Sequence, residues 1–136
     1  MYRVVVDTSV VSAAIRAGKA YGFLLKAVLG GKCALVTSDE IINEIREVLC
    51  RPKFRLDKNE VDNVVSALES LSDIIETKSK FSVVRDPADD MFINAAYDGG
   101  ADYIVSGDRD LLDLAEFKGI RMVTVDEMLR ILQSDG

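Results

Sequence analysis

Short apolar runs of strand length alternate with segments of helical periodicity along the chain, and this alternation limits the folds open to it. The first run, Val4–Val6, consists of β-branched residues and leads into the polar Asp7-Thr8-Ser9, which is typical of a buried strand. Further strands are predicted at 33–37, 103–106 and 122–125, with a weak strand or an extended segment at 81–84. Helices are predicted at 9–16, 21–29, 37–49, 59–75, 86–98, 109–114 and 126–132. Such alternation predicts right-handed crossovers and a mainly parallel sheet covered on both faces. We therefore expect one α/β domain over residues 1–136, built as a three-layer α/β/α sandwich.

Composition and charge narrow the class of protein. The 136 residues are 49% hydrophobic, which is enough for the core of one domain. A net charge of −6 argues against a protein that coats nucleic acid by charge alone, but an enzyme can act on nucleic acid through bound cations. No apolar run is long enough to span a bilayer and no leader pattern opens the chain, so we expect a cytoplasmic protein without a membrane partner. Two isolated cysteines, Cys33 and Cys50, indicate neither a disulfide framework nor a zinc site.

Acidic residues follow two of the predicted strands. Asp7 ends the first apolar run, and Asp108 follows the strand at 103–106. Ligands of parallel α/β sheets bind beyond the carboxyl ends of the strands, where these two acids are expected. The chain contains no histidine, so a metal held here would have mainly oxygen ligands, which suit Mg²⁺ or Mn²⁺.

Glu44 belongs to the helix predicted after the second strand, where the Thr37-Ser38-Asp39-Glu40 sequence matches a capping box. On a helical wheel, Glu44 lies closer to the apolar stripe than Glu40 and Glu47 do. It is therefore the glutamate of this helix expected nearest the buried border, either as a site residue or as a solvated residue on the flank of the helix.

Asp90 lies early in the helix that begins at Asp86-Pro87. It shares one polar helix face with Asn94 and Tyr97, opposite the apolar face. This face could present a metal ligand with supporting polar groups, or it could be solvated surface.

Each acid also has a purely structural interpretation. Asp7 and Asp108 could cap the helices that follow them, and Asp86 and Asp89 could favour the positive end of a helix. Gathering several acids at one sheet edge would nevertheless raise their pKa values by mutual repulsion, and a shared cation removes that penalty. Residues 51–58 form a basic turn, which is interpreted as a solvated connection or as a contact to a phosphate backbone.

These residues together resemble the PIN-domain family (named for the PilT N-terminus), and especially the toxin ribonucleases of prokaryotic toxin–antitoxin systems. The resemblance extends over nearly the whole chain. Its sequence marks are Val4-Val5-Val6-Asp7-Thr8-Ser9, Glu44, Asp86-Pro87-Ala88-Asp89-Asp90 and Gly99-Gly100-Ala101-Asp102-Tyr103-Ile104-Val105-Ser106-Gly107-Asp108-Arg109-Asp110-Leu111-Leu112. The last block, in which an aromatic-aliphatic strand runs into Gly-Asp-x-Asp-Leu, is the most specific.

The resemblance implies a catalytic, metal-binding quartet with Mg²⁺ or Mn²⁺ as the cofactor. Carried over by position, the quartet is Asp7, Glu44, Asp90 and Asp108. Asp89 is an ambiguous neighbour of Asp90. The supporting residues implied are Thr8, Ser9, Asn94, Ser106 and Asp110. The family further implies an endoribonuclease acting on single-stranded or structured RNA, a homodimer, and an antitoxin that blocks the acidic groove with a basic side chain.

Two other functions remain open from the sequence. A phosphatase of the haloacid-dehalogenase type would use Asp7 as a covalent nucleophile. That class usually has a second aspartate where this chain has Ser9, and a lysine that cannot be placed here. A non-catalytic PIN-like interaction domain would keep the acids only as a docking groove.

Overall fold

The structure, a computed structural model, describes residues 1–17 and 31–134, so the helix predicted at 21–29 lies outside the described residues. The strands are β1 Tyr2–Val6, β2 Cys33–Thr37, β3 Ser72–Ile74, β4 Tyr103–Val105, β5 Glu116–Phe117 and β6 Ile120–Val123. The helices are α1 Thr8–Ala17, α2 Asp39–Leu49, α3 Lys58–Leu71, α4 Asp90–Asp98, α5 Arg109–Leu114 and α6 Val125–Ser134, with 3₁₀ turns at Pro52–Phe54 and Pro87–Asp89. None of these helices is long and apolar enough to cross a membrane.

The six strands form one sheet in the order β3-β2-β1-β4-β6-β5. All neighbours are parallel except β5, which runs antiparallel to β6. The mostly parallel sheet flanked by helices confirms the predicted fold class. Because β1 lies between β2 and β4, the order of the strands reverses at β1, which is where ligands bind in sheets of this kind. Asp7 and Asp108 follow the two strands that meet at this point.

The core lies on and around the central strands. Val4, Val5 and Ile104 are completely buried, as β-branched residues in a central parallel strand should be. Helix α4 comes so close to the sheet that a Cβ atom added to Gly99 would lie 2.4 Å from Val36 Cγ1. The glycine that ends α4 therefore allows this helix, which begins near the acids, to pack directly on β2.

The predicted start of α2 and the predicted end of α3 were wrong. The residue that caps α2 is Ser38, whose Oγ accepts a hydrogen bond from the Ile41 N–H at 3.3 Å, and not Thr37 of the predicted capping box. The helix predicted at 59–75 ends at Leu71, because the next three residues pair with β2 as the parallel strand β3. An apolar residue every three or four positions does not reveal that a short edge strand follows.

Residues 81–84 were predicted as a weak strand or an extended segment, and the structure has the extended segment. Its backbone N–H groups donate hydrogen bonds to side chains of α4, and not to a neighbouring strand. Asn94 Oδ1 accepts from the Phe81 N–H at 2.7 Å, and Asp90 Oδ1 accepts from the N–H groups of Val83 and Val84 at 3.0 and 2.9 Å. The segment is therefore held beside α4 as an irregular extended chain. The C-terminal strand ends at Val123, two residues earlier than predicted.

Candidate metal centre

Asp7 lies at the end of β1, fixed in place by the adjoining strand. Its backbone N–H donates to the Val105 carbonyl at 3.1 Å, which continues the pairing of β1 with β4. Its carboxylate Oδ1 accepts from Ser9 Oγ at 2.6 Å and from the Val10 N–H at 3.2 Å, and Oδ2 accepts from Ser106 Oγ. The side chain is only 2% exposed.

Burial raises the pKa of the Asp7 carboxyl group. Hydrogen bonds from Ser106, Ser9 and Val10 oppose this change because they stabilise the charged form, whereas the nearby charge of Asp108 adds to it. Asp7 is thus a buried acid held by neutral donors, with a second acid as its neighbour.

Asp108 precedes α5 and caps it, as the structural interpretation of the sequence anticipated. Its Oδ1 accepts from the Asp110 N–H at 2.8 Å, and its own N–H donates to Ser106 Oγ at 2.8 Å. Ser106 therefore joins Asp7 and Asp108 through one hydroxyl group, which donates to the first and accepts from the second. Capping the helix and lying beside Asp7 are compatible roles for Asp108.

Asp89 ends the 3₁₀ turn before α4 and is 8% exposed. Its Oδ2 is buried without a hydrogen-bond partner among the described residues. Burial, followed by the charge of Asp108 and a hydrogen bond with its carboxyl group, raises the Asp89 pKa to about 7. The charges of Asp86 and Asp7 act in the same direction. A buried carboxylate beside other carboxylates is destabilised in its charged form, and a bound cation would stabilise it.

Asp86, Asp89 and Asp110 each offer a carboxylate oxygen, and the three oxygens lie within 4.8 Å of one another. Asp89 connects this trio to Asp7 and Asp108, which also act on its pKa. We call these five residues the acidic cluster. Its donors are all carboxylate oxygens, a set that suits a hard divalent cation, and the unpartnered Asp89 Oδ2 leaves a buried oxygen available as a ligand.

The structure brings together Asp7 and Asp108 of the predicted quartet but places Asp90 differently. Asp90 Oδ1 accepts hydrogen bonds from the backbone N–H groups of residues 83 and 84, and Asn94 Oδ1 accepts one from the Phe81 N–H. Asp98, at the end of α4, accepts hydrogen bonds from the N–H groups of residues 78 and 79 at 2.6 and 2.7 Å. The polar face of α4 predicted to support a metal therefore holds an extended segment. Asp89, one residue earlier, lies in the cluster together with Asp86.

Replacing Asp90 by Ala is expected to destabilise the protein by about 2–3 kcal/mol, because two backbone N–H groups lose a charged acceptor. Asp90→Asn keeps a carbonyl oxygen at the same position and should cost less than about 1.5 kcal/mol. Urea unfolding followed by circular dichroism measures both values. An Asp90→Ala protein as stable as the wild type would show that these contacts do not hold the segment.

Glu44 is half-buried, whereas Glu40 and Glu47 are exposed, so the helical wheel ranked the three glutamates correctly. Its Oε2 accepts from Thr8 Oγ1, the residue after Asp7. The predicted supporting residue Ser9 links the two sides of the site, since its Oγ donates to Asp7 and accepts from the Gly107 N–H at 2.9 Å. Thr8, Ser9, Ser106 and Asp110 thus lie at or beside the cluster, whereas Asn94 does not.

From the sequence, Asp86 was assigned only a helix-dipole role, and Asp89 was assigned that role and also named as an ambiguous neighbour of Asp90. The signal that could have found them is the density of acids in Asp86-Pro87-Ala88-Asp89-Asp90, three in five residues. The proline at the start favours a tight turn, and such a turn brings acids three positions apart onto the same side.

The chain is similar to one protein by sequence and to another by structure. The chain is 36% identical over 118 residues to "Uncharacterized protein MJ1680" of Methanocaldococcus jannaschii, an alignment that covers 84% of this chain and 76% of that protein. Its fold is similar to the crystal structure of PAE2754 from Pyrobaculum aerophilum, with a TM-score of 0.60, 20% identity and coverage of 98% of both chains.

The family model of the PIN domain matches residues 3–110, a stretch that includes the whole acidic cluster and Glu44. PIN domains are generally metal-dependent nucleases, and a group of carboxylates suited to a cation is present here. From the extent of this match, the chain belongs to the PIN-domain family.

Proposed function

We propose that this protein is a Mg²⁺- or Mn²⁺-dependent endoribonuclease that hydrolyses phosphodiester bonds of RNA. The observation that most supports the proposal is the buried, unpartnered oxygen of Asp89 within a group of carboxylates. A protein that folds with such an uncompensated group gains by binding a cation there. Membership of a nuclease family makes phosphodiester hydrolysis the natural chemistry of the bound ion.

We assign the metal-binding role to Asp7, Asp89 and Asp108, with Glu44 as the fourth acid. Asp89 replaces Asp90 in the quartet, and Asp86 and Asp110 are the outer acids. A divalent cation, when bound, supplies a more acidic water and stabilises charge that develops on the phosphate. The hydroxyl groups of Ser9 and Ser106 orient the Asp7 carboxylate, and Thr8 orients Glu44.

A toxin–antitoxin role, an antitoxin partner and a homodimer are further parts of the proposal, supported by the resemblance of the sequence to toxin ribonucleases of this family. An antitoxin that places a basic side chain against the acidic cluster would stabilise the charged carboxylates as a metal ion does. Such a partner would compete with the cofactor.

The burial of Asp7 argues against the phosphatase alternative. A covalent nucleophile must reach the phosphorus atom of the substrate, yet Asp7 is 2% exposed and both of its oxygens accept hydrogen bonds. This arrangement fits a carboxylate that binds a metal ion inside the site.

The proposal is tested with a labelled single-stranded oligoribonucleotide and with para-nitrophenyl phosphate as the competing substrate. RNA cleavage should require Mg²⁺ or Mn²⁺, disappear with a chelator and return when the metal is added back. Para-nitrophenyl phosphate should be hydrolysed at background rates. Strong turnover of that ester, or intact RNA of every sequence tried with both metals, would contradict the proposed function.

A further inference from the structure

Arg85 is a basic side chain at the border of the acidic cluster. Its Nε lies 3.0 Å from Asp110 Oδ1, and one Nη lies 2.7 Å from Asp113 Oδ2. The first of these acids belongs to the cluster, and the second lies one turn further along α5. Among the salt bridges of residues 1–17 and 31–134, that with Asp110 is the one that reaches the cluster.

These ion pairs explain little of the stability of the fold. The Arg85 side chain is 69% exposed and its partners are 30% and 49% exposed, and pairs in such positions contribute about 0–1 kcal/mol. The position of Arg85 is nevertheless well defined, because the two preceding backbone N–H groups are bound by Asp90. The segment thus presents an accessible guanidinium group beside the cluster.

A guanidinium group has five N–H donors in a planar fork that matches phosphate oxygens. One N–H on Nε and one on an Nη suffice for the pairs with Asp110 and Asp113, so further donors remain at an accessible position. A chain with a net charge of −6 and five acids at its site repels RNA, and a cation at the border of the site would offset that repulsion.

We propose that Arg85 binds a backbone phosphate of the RNA substrate next to the acidic cluster, and that Asp113 competes with the RNA for the guanidinium group. This inference rests on the proposed function. In this proposal the hydrogen bonds to Asp90 also contribute to RNA binding, because they fix the position from which Arg85 reaches the substrate. Its consequence is that the two partners in one ion pair should have opposite effects on RNA affinity.

The test measures binding of a fluorescein-labelled, 12-nucleotide single-stranded RNA by anisotropy in Ca²⁺ buffer at several salt concentrations, with the RNA checked for integrity afterwards. Arg85→Ala should weaken binding about tenfold at low salt and reduce the salt slope by about 0.7, the value for one phosphate contact on a single strand. Arg85→Lys should lose less. Arg130→Ala is the matched control, because it removes the same charge from an exposed arginine on α6, whereas Arg109 itself lies 3.9 Å from Asp113.

Asp113→Asn should tighten RNA binding two- to threefold in the wild-type background and have no effect in the Arg85→Ala background. If Arg85 only braces the segment, both single variants should instead weaken binding. Equal losses in the Arg85→Ala and Arg130→Ala proteins, or no loss in either, would overturn the inference while leaving the ribonuclease proposal intact. A wild-type protein that neither binds nor cleaves RNA would overturn both.

Discussion

Replacing Asp89 by Asn is expected to lower metal-dependent RNA cleavage by at least about 100-fold while making the metal-free protein more stable. The activity falls because the buried oxygen at the centre of the acidic cluster loses its charge. The fold is preserved because an amide has nearly the same shape and can donate a hydrogen bond to Asp108 in place of the one that joins the two carboxyl groups. Rates measured with Mn²⁺ on a labelled oligoribonucleotide test the first half.

The stability effect depends on pH in a defined direction. The pKa of Asp89 is about 7 in the folded protein and near 3.8 when unfolded, so the folded state binds the proton more tightly. The associated stability is fully present below about pH 4 and is lost as the pH rises through 7. Asp89→Asn lacks this loss and should exceed the wild type at pH 8 by about 1–3 kcal/mol.

Urea unfolding in the presence of a chelator at pH 5 and pH 8 gives this difference directly. Asp126→Asn serves as the control, because Asp126 is an exposed acid in the first turn of α6, outside the cluster. If the difference in the free energy of unfolding between Asp89→Asn and the wild type does not grow between pH 5 and pH 8, the pKa of Asp89 is not raised by its neighbours.

Replacing Asp7 by Asn is the second change expected to have a large effect. We expect kcat/KM for RNA to fall by at least about 100-fold, with the free energy of unfolding within about 1.5 kcal/mol of the wild type. Removing a buried charge relieves desolvation, and the hydroxyl groups of Ser9 and Ser106 can rotate to suit an amide.

Steady-state kinetics and thermal unfolding of the same Asp7→Asn preparation separate loss of function from loss of fold. The Asp126→Asn protein again provides the comparison for removal of one acid. A kcat/KM value within threefold of the wild type would remove Asp7 from the site.

The parts of the site that follow from strand topology were predictable from the sequence. Parallel strands end at the same edge of a sheet, so Asp7, Ser106 and Asp108 had to lie near one another once β1 and β4 became neighbours. Glu44 followed from helical periodicity, because its position relative to the apolar stripe depends only on rotation along α2.

The choice between Asp89 and Asp90 could not be made in the same way. It depends on where a 3₁₀ turn gives way to α4, since a change from three to 3.6 residues per turn alters the direction of every side chain that follows. The polar face of α4 predicted from Asp90, Asn94 and Tyr97 could not be interpreted from the sequence for a related reason. Asp90 and Asn94 bind an irregular segment whose path is decided by tertiary packing, and no local sequence pattern predicts that path.

A crystal soaked in Mn²⁺, with data collected for anomalous scattering from manganese, would show whether the acidic cluster binds a divalent cation. We expect an anomalous peak among the carboxylate oxygens of Asp7, Asp89 and Asp108, and its loss in an Asp89→Asn crystal soaked in the same way. A peak coordinated by Asp90 and not by Asp89, or a cluster that stays empty at millimolar Mn²⁺, would contradict it.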